Sequence, residues 1–315
     1  MTAAKYNKSK ERTVSPFMPY AAVFLLLLLL FLGNKIKEGV ICGIELCLYT
    51  IIPTLFPFFV LSDFLLSVIW INPNGPVAKI YRGAFGISSV TLPVFLIGSV
   101  CGFPLGIRNA SALYKDNKIT KRELEYMCGF VNNPSVAFVI SGVGAGLLGD
   151  AKAGVLLYIS TVISAMIVGL IFRSKISISQ KTDIISRQSF NLVESIRSAG
   201  ISSLIVSSYI IFFSSLIGLL SEIVKSEYLM AAISSLLEIS NGAKGIASLR
   251  SVSSIPKLCG IAFSLGFSGL SVHLQSFAFM PKEVSKKKYL LMKLVQGLLC
   301  ALIVFLFSEI KKAVC

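Results

Sequence analysis

From residue 153 to residue 172 the chain runs about twenty residues without a charged side chain, the length an α-helix needs to cross the roughly 30 Å hydrocarbon core of a bilayer. In lipid every backbone N–H and C=O must find a partner within the protein, so stretches of this kind are confined to helices or closed barrels. The composition extends the constraint to the whole chain. Apolar residues make up 55% and charged residues 14%, with a mean hydropathy of +0.80. A soluble domain carries about 25% charge, so there is too little polar surface here to coat a globule. Extended disorder, a collagen-like rod and a disulfide-stapled miniprotein are excluded on the same grounds. The expected fold class is an all-α polytopic membrane protein.

The net charge of +15 comes from 30 Lys+Arg against 15 Asp+Glu. Its clusters are short and flank apolar runs: Lys5/Lys8/Lys10/Arg12, Lys115/Lys118/Lys121/Arg122, Arg173/Lys175/Lys181/Arg187 and Lys282/Lys286/Lys287/Lys288. That distribution fits loops anchored on an anionic leaflet and not a phosphate-tracking face, so the expected partner is the lipid bilayer and not nucleic acid. Seven cysteines occur without a CxxC pair, mostly inside apolar runs, where a thiol packs as a small hydrophobe; neither a disulfide framework nor a metal site is expected.

The apolar runs are not uniform. Residues 17–33, with six consecutive leucines, predict a retained first membrane helix after a basic, cytoplasmic N-terminus. Residues 39–71 contain Pro53 and Pro57 and predict two half-helices or a sharply bent span. Three glycines and a proline between Gly98 and Gly106 suit a re-entrant hairpin, because irregular backbone at membrane depth is tolerated where protein or a cavity surrounds it. Thr120 and Glu123 have the spacing of a capping box, and the helix they open meets Asn132-Asn133-Pro134, which predicts a broken helix. In the second half, Gly260, Gly266, Ser268 and Gly269 make residues 258–280 read as a second hairpin, ahead of a basic connector and a final plain span at residues 289–307. The expected organisation is a basic N-terminus and first helix (1–38), a first repeat (39–172), a polar linker (173–188) and a second repeat with its own hairpin (189–315), about eight membrane segments in all. Interrupted segments paired between two halves point to a solute site near the midplane.

Polar residues inside apolar runs carry the remaining information. Glu45, Asp63, Glu238 and His273 either face a bundle interior or sit near the headgroups. His273, the only histidine, is either a substrate or proton group or a plain hydrogen-bonded side chain. Arg108 either neutralises an anionic solute or snorkels. Residues 144–149 match GxGxxG, but without a soluble βαβ unit the match is a false positive, and glycine there lets helices approach. No nucleophile, base and orienter can be assembled, so an enzyme is not expected, and no cofactor is.

Cys101-Gly-Phe-Pro-Leu-Gly106, Phe130-Val-Asn132-Asn133-Pro134 and Leu265-Gly-Phe-Ser-Gly-Leu-Ser-Val-His-Leu-Gln275, in that order, resemble the YlbJ-type sporulation integral membrane proteins, grouped with the nucleoside-recognition Gate domain proteins. The resemblance implies a multi-pass inner-membrane protein of endospore-forming bacteria needed for spore cortex formation, with two repeats distantly similar to concentrative nucleoside transporters. It further implies that a small polar solute, and a cation with it, is held by Gly102, Phe103, Pro104 and Arg108 of the first hairpin, Asn132 and Asn133 of the break, and Ser268, Ser271, His273 and Gln275 of the second hairpin. Asp63 and Glu238 are expected as intramembrane acids from their place in apolar runs. The alternative is a membrane scaffold for cortex assembly that has lost transport.

Overall fold

The computed structural model describes residues 33–68, 75–173 and 190–314, with isolated positions at 19, 20, 23, 26, 27 and 72. The basic N-terminus, most of the leucine-rich first helix and nearly all of the 173–188 linker lie outside the described residues. Among the described residues every regular element is helical. Five helices are long and apolar enough to cross a membrane, or up to six if a bent pair is counted as one span.

The first span among the described residues is α1 (Gly33–Leu46), a π turn (Cys47–Ile51) and α2 (Ile52–Val68). Residues Gly33–Leu65 form one 33-residue stretch, so of the two forms expected from Pro53 and Pro57, two half-helices or a bent span, the separate half-helices are not seen. A proline removes one donor from the ladder. Here the π turn lies just before Pro53, and the Thr54 hydroxyl donates to the carbonyls of Thr50 (2.7 Å) and Ile51 (3.0 Å). This span packs against α8 (Leu192–Ile223) so closely that a Cβ on Gly43 would lie 2.9 Å from the Ile211 backbone, and Cys47 Sγ reaches the Ser207 carbonyl at 3.8 Å.

Next comes α3 (Pro76–Phe85), followed after a 98° bend by the 3-10 turn Ser89–Thr91 and α4 (Leu92–Val100). α4 turns back into α5 (Leu105–Lys115) through Gly102 and a cis Phe103–Pro104 peptide, and a Cβ on Gly98 would lie 2.9 Å from the Gly106 backbone. α6 (Lys121–Cys128) opens with the expected capping box, with Thr120 and Glu123 each accepting from the other's backbone N–H. Residues 129–135 are non-helical, a π-helix (Phe138–Leu147) follows, and α7 (Ala151–Ile171) is a plain span over the uncharged run of residues 153–172. Gly144, the first glycine of the GxGxxG match, and Gly154 bring the π-helix and α7 into backbone contact, whereas Gly146 and Gly149 make no such contact.

In the second half, α9 (Glu227–Leu237) and α10 (Ile239–Ser248) fold back on each other about Glu238: Gly242 lies on the Ser235 backbone and Gly245 on Ala231. α11 (Ser254–Phe267) and α12 (Gly269–Phe279) together form a 26-residue span interrupted at Ser268, and α13 (Lys286–Val314) closes the chain. This corrects the expected second hairpin. Residues 258–280 run on as one broken span, because Gly266 serves close packing against Gln296 and Gly297 of α13 (2.8 Å for a Cβ) and makes no turn. The fold-back lies thirty residues earlier, at Glu238. Arms of 9 to 11 residues span only about 14 to 17 Å, half a bilayer core.

The burial pattern is that of a chain in lipid. On α13, Tyr289, Lys293 and Gln296 are fully buried, whereas Leu291, Leu294, Leu298, Leu302 and Phe305 are exposed. Polar groups inside and leucines outside is the reverse of a water-soluble helix.

Candidate functional site

Each fold-back tip rests on the break in the span that follows it. Gly102 (φ +89°) sits so close to Ser135 that a Cβ would lie 2.7 Å from its backbone nitrogen; Gly269 (φ +73°), just after the Ser268 break, lies beside Ser235 O and the Glu238 and Ile239 nitrogens, 3.3 to 3.5 Å from where its Cβ would be. Gly98 and Gly106 both press on the Val131 carbonyl, so the bare backbone of the first break is gripped between the two arms. Glycine is required at Gly102 and Gly98 because the approach leaves no room for any side chain.

Both tips and the first break border one small inner cavity of about 30 Å³, most of whose lining is apolar, from Ile51, Leu55, Val206, Ile210, Ile239 and Val272. Phe103 comes from the first tip, Ser135 from the first break, Glu238 and Ser240 from the second tip, Gln275 from α12, and Thr54 from the proline-containing span. Ser135 also caps the resuming helix by accepting from Phe138 N at 3.1 Å. Glu238 is 1% exposed and caps α10, accepting from Asn241 N (2.8 Å) and Asn241 Nδ2 (3.0 Å). Gln275 donates to Ser271 Oγ at 3.2 Å, and its own Oε1 is buried without a partner.

A wider cavity of about 470 Å³ lies alongside, lined by Cys42, Glu45, Tyr49 and Thr50 of the first span, Gly142 and Gly146 of the π-helix, and Asn241 and Lys244 of α10. Phe138 and Ser240 line both spaces and so form the wall between them. Glu45, Tyr49 and Lys244 are exposed, so the wider space opens outward as a vestibule. Lys35, Glu38, Glu222 and Lys225 form an ion-pair cluster at the start of the first span. Glu45 lies two helical turns further in, about 10 Å along the axis.

Behind the first break, a buried network ties it to the last two spans. Asn132 Nδ2 donates to Ser276 Oγ (2.9 Å), which also accepts from Tyr289 OH (3.3 Å), and His273 Nδ1 is 3.0 Å from that same hydroxyl. Lys293 Nζ donates to the Asn132 carbonyl (2.9 Å) and to Gln296 Oε1 (2.7 Å), while Gln296 Nε2 donates to Asn133 Oδ1 (2.8 Å) and the Thr161 carbonyl (3.3 Å). Asn133 turns its own amide to the Phe130 carbonyl at 2.9 Å, filling part of the gap Pro134 opens. Asn132 Oδ1 and His273 Nε2 are buried without partners.

Of the residues singled out from sequence, Phe103, Glu238 and Gln275 line the inner cavity, Gly102 and Ser271 stand directly behind that lining, and Pro104 follows in the same tip. Asn132, Asn133 and His273 belong to the network. Ser268 is the left-handed residue (φ +82°) at the second break. Arg108 stands apart, 3.6 Å from Asp63 and bonded to Ser198. Tyr289, Lys293 and Gln296 were missed. Their 4- and 3-residue spacing puts three polar groups on one face of an apolar helix, and that spacing was the available signal.

The chain is 26% identical over 308 residues to the sporulation integral membrane protein YlbJ of Bacillus subtilis (strain 168), a match covering 84% of this chain and 75% of that protein. No family model matches, and no solved structure does. With this likeness and the apolar helices, the chain is a multi-pass membrane protein similar to a protein of sporulation.

Proposed function

We propose that the protein is transporter-like, moving or sensing a small polar solute during sporulation, and that spore cortex formation depends on this activity. One observation carries the reading: two short fold-backs and the Asn132–Ser135 break bring their tips to a single buried cavity that Glu238, Ser240 and Gln275 help to line. Discontinuous helices meeting at mid-depth are how transporters present backbone ends and buried polar groups to a solute. The reading includes two structural repeats. Gly102 and Asn132 are thirty residues apart, as are Glu238 and Ser268, and each tip-and-break pair is followed by a long plain span, α7 or α13. The likeness to a sporulation membrane protein supports the cellular setting.

Purified protein in liposomes, tested for uptake of radiolabelled uridine, glycine and ethanolamine, gives the direct measurement. The comparison is Asn132→Ala plus Asn133→Ala, expected to reduce uptake at least tenfold. In an endospore-forming host lacking its own homologue, the same variant is expected to fail in cortex formation. Normal cortex with the double variant, together with no uptake by the wild type, would favour a scaffold and defeat the transport reading.

A further inference from the structure

Hydrogen bonds between the two halves of the chain gather its basic connections onto one end of the bundle. Tyr114 OH donates to Glu283 Oε1 at 3.3 Å, and Ser285 N donates to Glu125 Oε1 at 3.0 Å. These bonds join the turn after α5, with Lys115, Lys118, Lys121 and Arg122, to the connector before α13, with Lys282, Lys286, Lys287 and Lys288. Arg173, at the end of α7, comes to the same place: a Cβ on Gly86 would lie 3.1 Å from its Nε, Ser88 N of that bend donates to Glu123 Oε1 at 3.0 Å, and Tyr126 OH donates to the Gly169 carbonyl. The chain leaves α7 and enters α8 at this end, where Phe190 meets Phe64 near the close of the first span (5.2 Å between ring centroids). Between α7 and α8 the sequence adds Lys175, Lys181 and Arg187.

The opposite end is charged differently. α1 starts there with Lys35 paired to Glu38 (2.7 Å), and α8 ends there with Glu222 at 3.8 Å from Lys35 and 3.6 Å from Lys225. α7 begins there behind its Asp150 cap, and Tyr228 OH donates to Ser251 Oγ at 2.7 Å, which brings the loop before α11 to the start of α9. Basic residues at this end occur singly or in pairs and are interleaved with acids. The vestibule belongs to this half of the molecule. Cys42 and Glu45 lie early in the first span, Gly142 and Gly146 lie in the part of the π-helix next to the Asp150 turn, and Lys244 lies in the part of α10 that runs out toward Ser248. Its mouth is therefore at the end away from the two basic clusters.

Lysine and arginine in short connections are retained on the cytoplasmic side of a bacterial membrane, where anionic headgroups also attract them. We infer that the end bearing the Lys115–Arg122 and Lys282–Lys288 clusters is the cytoplasmic face, and that the vestibule opens on the extracytoplasmic side, so that a solute enters from outside and passes Phe138 and Ser240 to reach the inner cavity. The orientation stands on charge and packing alone. The direction of solute entry rests on the solute-site reading above.

The test is thiol labelling of the full-length protein in vegetative cells of a host without an outer membrane, with a membrane-impermeant maleimide applied before and after permeabilisation. Native Cys42, in a Cys315→Ser background, reports the vestibule. Lys225→Cys and Lys287→Cys, each made in a Cys42→Ser, Cys315→Ser background that also serves as the blank, report the two ends; both positions are exposed. Intact cells are expected to label Cys42 and Lys225→Cys, with less than a twofold gain on permeabilisation, and to label Lys287→Cys at least tenfold less than permeabilised cells do. Labelling of Lys287→Cys and not of Lys225→Cys in intact cells overturns the orientation, and so does equal labelling of both or of neither. Labelling of Lys225→Cys without Cys42 overturns the extracytoplasmic opening of the vestibule. The expected pattern with no uptake of any solute in liposomes defeats the solute-site reading and leaves the orientation standing.

Discussion

Gln296 Nε2 donates to Asn133 Oδ1 across 2.8 Å, joining the middle of the last span to a break 163 residues earlier in the chain. Both groups are fully buried. The same Gln296 side chain also accepts from Lys293 and donates to the Thr161 carbonyl. Gln296→Leu strands these partners, and a buried polar group left without one costs about 1–3 kcal/mol. The expected outcome is a lowered unfolding midpoint in detergent of that order. Because Asn133→Leu removes the other half of the bond, the double variant should lose less than the sum of the singles, a coupling of about 0.5–3 kcal/mol in a double-mutant cycle.

Gly102 and Gly269 differ in a way that two alanine variants resolve. Both have positive φ, +89° and +73°, which costs a side-chain-bearing residue about 1–2 kcal/mol. At Gly269 the nearest atom to a Cβ is 3.3 Å away, so strain is the main loss. At Gly102 the Cβ meets Ser135 at 2.7 Å, and overpacking adds about 1–3 kcal/mol. Gly102→Ala should therefore be the more destabilising of the two, and it should also impair solute binding because it pushes on the Ser135 wall of the cavity. Equal losses at the two positions would show that the first tip does not seat on the first break.

The parts of this fold that depend on local chemistry are legible in the sequence. The Thr120–Glu123 box, the Gly98–Gly106 turn and the Asn132-Asn133-Pro134 break are short-range features whose residues have few other uses in a membrane, and each is where the spacing placed it. The second fold-back was misplaced because glycine has two uses in lipid. In the first half Gly102 makes a turn, whereas Gly266 lets two helices touch, and composition does not separate the two. The real tip carries Glu238, which in sequence resembles a polar interruption and not a turn. Of the residues that share the inner cavity, Phe103, Glu238 and Gln275 stood out in the sequence and Thr54 and Ser135 did not, since these five come from separate elements joined only by tertiary packing.

Lys293 is a fully buried ammonium whose hydrogen-bond acceptors, the Asn132 carbonyl and Gln296 Oε1, are neutral. Lys293→Met removes a charge whose desolvation costs several kcal/mol and leaves two acceptors unpaired at about 1–3 kcal/mol each. These effects oppose one another, so the unfolding midpoint is expected to hold or rise. Lys293→Ala loses the same bonds and also empties a fully buried site, where large-to-small changes cost about 2–5 kcal/mol. A fall in midpoint for alanine but not for methionine separates the volume of this residue from its charge. Comparable falls in both would show that the ammonium itself stabilises the break.

Cys42 reports whether the vestibule holds water. It lines the 470 Å³ space and is exposed, whereas Cys47, Cys101, Cys128 and Cys300 are buried. In a Cys315→Ser background, a membrane-impermeant maleimide applied to protein in liposomes of mixed orientation is expected to label the chain, and Cys42→Ser is expected to abolish most of that label. A lipid-facing Cys42 would resist this polar reagent while reacting with a hydrophobic one. The label also tests the path to the inner cavity: a bulky adduct on Cys42 narrows the vestibule, so it should slow solute uptake in the parent, and the Cys42→Ser variant should be unaffected by the reagent. Unimpaired uptake by fully labelled parent protein would mean that solute reaches the Glu238 cavity by some other route.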